Sequence, residues 1–254
     1  MAITSLILRS MCSCTWLQSS APPPPPRLRI CCYSSTQHSV HKTLTHIHRS
    51  GVIACLRANS AELALKAARA ALSGGISVLE IVMSTPGVFE VLQQLVQEHP
   101  TTTLGVGTVL NVEDAKNAIN AGAKFLMSPA MVKDIMVDAQ CGEVLYIPGV
   151  MTPTEVYPVS ALGGSRYISA LKRPFHHISM VASQGITIDS VREYITQGAS
   201  AVVLSDAIFD KEAISQNNFN EICQLAHFAA LRGNEALECS LSFLIHQNNN
   251  KKVP

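Results

Sequence analysis

The sequence predicts a (β/α)8 barrel that is incomplete around its fifth helix and sixth strand. From Gly51 onward, short β-branched runs alternate with longer amphipathic runs, which is the pattern of a parallel sheet covered by helices. Eight short runs follow one another, as many as a closed barrel has strands. A doubly wound open sheet is the alternative fold. The predicted strands are Val52–Leu56, Val78–Met83, Thr103–Val106, Lys124–Ser128, Val144–Ile147, Val156–Val159, Met180–Ser183 and Ala201–Leu204.

Three segments between these strands have the start and stop signals of helices. The segment 60–75 opens with Ser60 as its N-cap and ends at Gly74. The segments 111–123 and 187–199 repeat this order of a polar cap, an acidic first turn and a glycine stop. We therefore expect a helix in each of these connections.

The composition indicates a globular protein and excludes several partners. Of the 254 residues, 47% are apolar, which is enough for one large packed domain. A formal net charge of +1, without a basic stripe beyond the N-terminus, argues against nucleic acid as a partner. The apolar run 3–8 is too short to span a membrane, and a proline run follows it. The cysteines lack the spacing of a zinc site, so we expect no metal centre.

Residues 1–36 are predicted to be a disordered organelle transit peptide. The first 61 residues contain no Asp or Glu, whereas Ser, Thr and Arg are frequent, as is typical of such leaders. A plastid is the expected destination, with a mitochondrion as the alternative. The barrel is then expected over residues 37–238, and residues 239–254 are expected to form a disordered tail.

Polar side chains and small residues follow most of the predicted strands, at the end where a barrel gathers its active site. Glu80 differs from them because it lies inside an apolar strand. A carboxylate there must either face a polar partner such as Arg57 or have its pKa shifted toward acid/base catalysis. The residues at the strand ends are Arg57, Thr108, Pro129, Pro148, Gly185 and Ser205.

Five motifs occur in an order and spacing that resemble a known family. They are GGISVLEIVMST, LGVGTVLN, GAKFLMSPAM, YIPGVMTPTE and YPVSALGG, and the similarity extends from about Gly51 to Phe209. In these motifs the chain is similar to the 2-keto-3-deoxy-6-phosphogluconate / 4-hydroxy-2-oxoglutarate aldolase family. The resemblance implies a homotrimer of (β/α)8 barrels that releases pyruvate from a 2-keto acid through a Schiff base. It also implies that no metal ion and no organic cofactor take part.

The resemblance assigns roles to individual residues. Glu80 corresponds to the family's proton-shuttling glutamate, and burial in an apolar strand raises the pKa of a carboxyl toward that role. Thr108 corresponds to the threonine near the pyruvyl carboxylate, and Gly163 and Gly164 correspond to a glycine pair that cradles phosphate. The other expected substrate contacts are Arg57, Pro129, Gly185 and Ser205.

Three positions depart from the family's pattern. Ser84 stands where the family has an arginine, which removes a bidentate anion clamp that Arg57 could replace. Asp206, beside Ser205, places a carboxylate where phosphate would bind, which favours short unphosphorylated keto acids. Glu155 stands where the family has its Schiff-base lysine, three residues before the proline of the sixth strand. The catalytic lysine is therefore absent.

The loss of the lysine coincides with a connection that is too short. Only Met151 to Glu155 separate the strand-like runs Val144–Val150 and Val156–Ser160. Consecutive parallel strands need a crossover of about a dozen residues, whereas five extended residues reach only about 17 Å. No helix fits in this connection, so we expect the barrel to be open here.

Two hypotheses about activity follow. In the first, the chain is an aldehyde-lyase by descent whose activity is impaired, because loss of a covalent nucleophile costs on the order of 10⁴–10⁶ in turnover. In the second, it is a catalytically inactive subunit that binds keto acids or has a structural role in an aldolase-like trimer. A true deletion, a splice form and an error in the gene model would each explain the missing segment.

Overall fold

Residues 33–140, 143–149 and 163–250 are described by the computed structural model. They contain one parallel sheet of seven strands in the order β5-β4-β3-β2-β1-β7-β6. The strands are β1 (Val52–Leu56), β2 (Val78–Val82), β3 (Thr103–Gly107), β4 (Phe125–Ser128), β5 (Leu145–Pro148), β6 (Val181–Ser183) and β7 (Ala201–Leu204).

Helices fill the connections between the strands and precede and follow the sheet. They are α1 (Tyr33–Ser50), α2 (Ala61–Ser73), α3 (Val88–Glu98), α4 (Val112–Asn120), α5 (Lys133–Gln140), α6 (Ser165–Lys172), α7 (Val191–Thr196), α8 (Lys211–Ser215) and α9 (Phe219–Asn250). A 3₁₀ turn, Ile188–Ser190, leads into α7.

The sheet confirms the predicted fold class, since its seven parallel strands form an α/β half-barrel. Each predicted strand that falls on described residues is present, and β1 and β7 have the predicted bounds. The remaining predicted strand, Val156–Val159, lies outside the described residues. In the described part of the chain β5 and β6 form the two edges of the sheet, and they are not paired with each other. All of β2 and β3 is buried, whereas every residue of β5 is half-buried, as expected beside an open edge.

The capping residues that the sequence predicts form hydrogen bonds at the start of their helices. The Ser60 hydroxyl accepts a hydrogen bond from the Leu63 N–H and so caps α2. The Asn111 side chain accepts one from the Asp114 N–H at the start of α4. These bonds satisfy N–H groups that the first turn of a helix leaves without an internal partner. Each helix therefore begins at the residue that follows its cap.

Two helices extend across the boundaries that the sequence analysis placed at residues 36 and 238. Helix α1 begins at Tyr33, within the predicted leader 1–36. Helix α9 continues to Asn250, within the predicted tail 239–254. The division of the chain into leader, barrel and tail stays a prediction.

Alternate residues of each strand point to opposite sides of the sheet and form two separate cores. Leu79 and Ile81 of β2 face outward and belong to the larger cluster, which includes the apolar faces of the helices. Ile53, Phe125 and Val203 face inward and belong to the smaller cluster. The inside of the sheet is thus a packed core rather than a channel.

Helix α1 closes the N-terminal end of this inner core. Ile47 of α1 is fully buried and belongs to the inner cluster. The neighbouring His46 is hydrogen-bonded through Nδ1 to Oγ1 of Thr103, the first residue of β3. The opposite, C-terminal end of the strands is left for a site, as expected of a barrel.

Two glycines of β3 make room inside the sheet. A Cβ atom on Gly105 would lie 2.6 Å from the ring of Phe125. A Cβ atom on Gly107 would lie 1.4 Å from Oε1 of Glu80. Such distances are far inside van der Waals contact, so a side chain at either position would displace its neighbour. Glycine at 107 is therefore what lets the Glu80 carboxyl lie against β3.

We expect Gly107→Ala to destabilise the protein by about 1–3 kcal/mol, because the new methyl group overlaps the Glu80 carboxyl. The same substitution in a Glu80→Ala background should cost much less, because the carboxyl is gone. Urea unfolding of the four chains measures the coupling energy, expected at roughly 0.5–3 kcal/mol. Equal costs in both backgrounds would show that Glu80 does not occupy this position.

Candidate active site

Glu80 lies at the centre of β2 and faces the inside of the sheet. Only 5% of its surface is exposed, and it shares its face of the strand with Val78 of the inner core. Burial raises its pKa to about 7, while a hydrogen bond from Cys55 and the charge of Arg57 oppose that rise. The group can therefore both give and take a proton near neutral pH.

Arg57 follows β1 directly and is exposed at the C-terminal end of the strands. Its charge lowers the pKa of both Glu80 and Cys55, so it acts on the same group of side chains. The next residue fixes the loop, because the Ala58 N–H donates to the buried Thr85 hydroxyl at 3.3 Å. Arg57 therefore influences the ionisation of Glu80, and its pairing with Glu80 stays a prediction.

Thr108 has a left-handed backbone at the end of β3. Its φ is +60°, which is uncommon for a residue with a side chain and costs on the order of 1–3 kcal/mol. Its neighbours hold this conformation. The Gly107 carbonyl accepts from the Met83 N–H at 2.9 Å, and the Val109 N–H donates to the Met127 carbonyl at 3.0 Å. Strained residues of this kind cluster at functional sites.

Pro129 follows β4 and is exposed. Its carbonyl lies against Gly149, where a Cβ atom would be only 2.1 Å from the oxygen. The Gly149 N–H also donates to the Ser128 carbonyl at 2.7 Å. The chain after β4 and the chain after β5 therefore meet closely on this side of the C-terminal end.

Ser205 follows β7 and connects it to β1. Its hydroxyl donates to the Cys55 carbonyl at 2.9 Å, so it lies beside the Glu80 group. The adjacent Asp206 forms an exposed ion pair with Lys211 at 3.3 Å. Neither Ser205 nor Asp206 is among the described residues that line the glycine pocket, defined next.

The three predicted glycines Gly163, Gly164 and Gly185 come together in one pocket of about 380 Å³, the glycine pocket. Their φ values of +105°, +63° and +68° are left-handed, which a glycine adopts without a steric penalty. The N-terminus of α6 opens onto the same pocket, and free N–H groups there favour an anion. The other lining residues are Ser165, Arg166, Thr187, Ser190, Glu193 and Tyr194.

The glycine pocket also contains an acid that the sequence did not single out. The Ser165 hydroxyl donates to Oε1 of Glu193 at 2.5 Å. A carboxylate therefore lies in the pocket beside the α6 N-terminus, with the Arg166 side chain as a positive counterpart. An anion bound here would be attracted by Arg166 and repelled by Glu193.

The described lysines lie away from the inner core. Lys124 is exposed just before β4, at the N-terminal end of the strands. Lys172 is half-buried, and its Nζ donates to the Ile178 carbonyl at 2.7 Å rather than entering the sheet. The other lysines of the described residues are exposed, namely Lys42, Lys66, Lys116, Lys133 and Lys211. Glu155, predicted to replace the family's lysine, lies outside the described residues.

The described part of the chain has neither a metal-binding cluster nor a membrane-spanning helix. No group of three or more His, Cys, Asp or Glu side chains is arranged there to hold a metal ion. None of its helices combines the length and the apolar character that crossing a bilayer requires.

Cys55 was missed by the sequence analysis, which considered the cysteines only as ligands of a zinc site. It stands opposite Glu80 in the pairing of β1 with β2. The signal was present in the alternation of β1, because Cys55 shares a face with the inward Ile53. The pairing register that brings it to Glu80, however, cannot be derived from one strand alone.

The raised pKa of Glu80 makes the stability of the fold depend on pH. The unfolded glutamate has a pKa of about 4.3, so between this value and about 7 the folded chain holds a proton that the unfolded chain releases. The protonated Glu80 therefore stabilises the folded chain fully below the unfolded pKa of about 4.3, and this stabilisation is lost as the pH rises through the folded pKa of about 7. We expect the free energy of unfolding of Glu80→Gln, minus that of the natural chain, to rise by about 3 kcal/mol between about pH 5 and pH 8.

Urea unfolding across this range checks the slope, and Glu98→Gln provides the matched control. Glu98 is paired with Arg69, and this hydrogen bond together with that from Gln94 lowers its pKa to about 2. Glu98 is ionised throughout the pH range tested. The free energy of unfolding of Glu98→Gln, minus that of the natural chain, should therefore stay flat. A flat difference for Glu80→Gln as well would mean that the carboxyl is not held at a raised pKa.

Known proteins share this fold and these motifs. A family model for KDPG and KHG aldolase matches residues 44–225. The chain is 27% identical over 191 residues to the 2-dehydro-3-deoxy-phosphogluconate aldolase of Dickeya dadantii, spanning 70% of this chain and 90% of the relative. It is 26% identical over 181 residues to the KHG/KDPG aldolase of Escherichia coli, spanning 66% and 85%. The structure of KDPG aldolase from Legionella pneumophila, with pyruvate captured as a covalent carbinolamine, matches with a TM-score of 0.67 and 27% identity, covering 73% of this chain and 96% of that one. The chain belongs to the KDPG and KHG aldolase family.

Proposed function

We propose that this chain binds a 2-keto acid at the C-terminal end of its strands and that Glu80 is the acid/base group of the site. The observation that carries the proposal is a carboxyl inside the sheet whose pKa is raised to about 7. The proposed reaction type is that of the family, an aldehyde-lyase that releases pyruvate through a Schiff base. In this chain the reaction is impaired.

The role of Glu80 follows from what a Schiff base requires. An amine adds to the ketone to give a carbinolamine, and loss of water from it needs a proton at the hydroxyl group. Glu80 can deliver that proton when protonated and remove one when ionised, and both forms are populated near pH 7. The Legionella enzyme, in which pyruvate was captured as a carbinolamine, provides the family precedent for the intermediate.

The substrate contacts are proposed at the strand ends around Glu80. Arg57 supplies a positive charge for the keto-acid carboxylate and takes over from the arginine that Ser84 replaces. Thr108 and Pro129 shape the neighbouring loops, and Ser205 closes the group on the side of β7. Gly163, Gly164 and Gly185 receive the distal end of the substrate in the glycine pocket.

We propose that the distal end is short and unphosphorylated. The sequence-based reason was the acid Asp206, but that carboxylate pairs with Lys211. Glu193 has the same effect from a different element, because it lines the glycine pocket itself. A dianionic phosphate would face this carboxylate, whereas a neutral or singly charged end would be repelled less.

The positions of the lysines are the reason for proposing that the reaction is impaired in this chain. The sequence has no lysine between Pro148 and Gly163, where the family's nucleophile is expected. The amine of Lys172 is engaged with a backbone carbonyl, and Lys124 stands at the wrong end of the strands. These positions also favour the second candidate, an inactive keto-acid-binding or structural subunit of an aldolase-like trimer.

We expect pyruvate and borohydride to leave no covalent adduct on this chain, because reduction traps only an imine and no amine reaches the ketone. Intact-mass spectrometry measures the outcome, and the Legionella KDPG aldolase, treated in the same way, is the positive control. Reversible binding of pyruvate should persist and should weaken in Arg57→Ala. Saturation-transfer NMR measures this binding.

The outcomes separate the two candidates. An adduct on any lysine would contradict the proposed impairment, and absence of pyruvate binding would leave only a structural subunit. Sequencing the transcript across codons 150–160 is a complementary test. An in-frame segment that encodes a lysine just before Val156 would favour an active enzyme and exclude the inactive subunit.

We also propose that residues 1–36 direct the chain to a plastid, with a mitochondrion as the alternative, and that the chain forms a homotrimer. The absence of acids from the first 61 residues supports the leader, and the family resemblance supports the trimer. Import of a fluorescent protein carrying residues 1–36 tests the first proposal. The solution mass of the chain tests the second, and a monomer would contradict it.

A further inference from the structure

A thiol lies directly opposite the candidate acid/base group. Cys55 and Glu80 are paired residues of the parallel strands β1 and β2. Cys55 packs against the inner core, so both side chains project to the same side of the sheet. A side-chain interaction between the two groups raises the pKa of the thiol and lowers that of the carboxyl. Because adjacent strands lie about 4.8 Å apart, this contact follows from the register itself.

The carboxyl is held between this thiol and the backbone of β3. On the far side, Oε1 of Glu80 occupies the space where a Gly107 side chain would begin. On the near side, the Ser205 hydroxyl donates to the Cys55 carbonyl and fixes β1 at this point. The carboxyl therefore has little freedom to turn away from the thiol.

Few charged groups face Glu80 from the elements packed around it. Arg57, just after β1, contributes the one opposing charge that acts on its titration among the described residues. The inward positions of β3 near it are glycines, and those of β4 and β7 are apolar, including Phe125, Met127 and Val203. Among the described residues, Cys55 is the neutral side chain that acts on the titration of the carboxyl.

The direction of the hydrogen bond follows from the two ionisation states. Burial is the main cause that raises the pKa of the Cys55 thiol, and the nearby Glu80 charge raises it further. The sulfur thus keeps its proton at neutral pH, and an ionised carboxylate can only accept. The S–H group is therefore the donor. A thiol in this state is a poor nucleophile, so a covalent role does not fit.

We propose that Cys55 is a positioning residue for Glu80: its S–H group donates to the carboxylate, holds it against Gly107 and stabilises its ionised form. This inference rests on the proposed function, in which Glu80 must release as well as accept a proton. Burial alone would keep the carboxyl protonated to higher pH and so limit it to the acid half of the reaction. The thiol moves it back toward a balance between acid and base.

The test is an infrared titration of the full chain and of Cys55→Ala, Cys55→Val and Cys55→Ser. The carbonyl band of the protonated carboxyl reports the midpoint of Glu80, and Glu80→Gln identifies the band. The midpoint is expected near 7 in the natural chain. It should rise by roughly one pH unit in the Ala and Val variants, which lack a donor, and should return to the natural value or below in Ser.

The S–H stretching band gives a second, independent readout on the natural chain. The difference spectrum between the natural chain and Cys55→Ala isolates this thiol from the other cysteines. Its band should shift with the same midpoint as the carboxyl and should stop shifting in Glu80→Gln. This measurement does not depend on whether every Cys55 variant folds, since Cys55→Val and Cys55→Ser can replace Ala as the reference.

An unchanged midpoint in both Ala and Val, or an S–H band that ignores the titration, would overturn the proposal. If Cys55 only filled space, Val would restore the natural midpoint of Glu80 and Ser would not. This is the reverse of the expected order. The titration is carried out without keto acid, so a failure of pyruvate binding would contradict the proposed function and leave this result intact.

Discussion

The burial of one carboxyl inside an apolar sheet determines how the site is built. An ionised group taken out of water costs several kcal/mol unless it finds partners or neutralises itself. Glu80 has partners that compensate for part of this cost, and it is partly neutralised by a proton. Gly107 gives it space, Cys55 gives it a donor and Arg57 gives it a distant positive charge, and proton uptake compensates for the rest. The near-neutral pKa is thus a consequence of incomplete compensation.

A second constraint is the length of one connection in the sequence. Parallel strands need a crossover that returns along the outside, and the chain between β5 and the predicted sixth strand is too short for one. The described strands on the other side of the fold are held by helices. Helix α9 contacts α2, α7 and α8, and α1 contacts several strands at the N-terminal end of the sheet. Glu80 lies in this well-packed half, between β1 and β3.

The sequence predicted those features that depend on local pattern. The strands followed from runs of β-branched residues, the start of α2 from Ser60, and the importance of Glu80 from its charge in an apolar run. Features that depend on how distant segments meet were not predicted. Cys55 gained its partner only through the register of two strands, and Glu193 reached the glycine pocket from a helix far along the chain. Asp206, which the sequence placed against phosphate, found Lys211 instead.

The buried acid Glu80 is informative because its contribution to folding is unfavourable at neutral pH. Above a pKa of about 7 the folded chain must carry a charge inside its core, and a neutral side chain of similar shape would avoid that cost. Packing therefore gives no reason for Glu80, and nor does an ion pair, since Arg57 is exposed in solvent. A carboxyl that is costly to bury and exchanges its proton near neutral pH is a candidate for proton transfer to or from a bound molecule. A glycine admits this carboxyl, and the strained Thr108 follows that glycine. The proposed acid/base role therefore explains a residue for which neither packing nor ion pairing gives a reason.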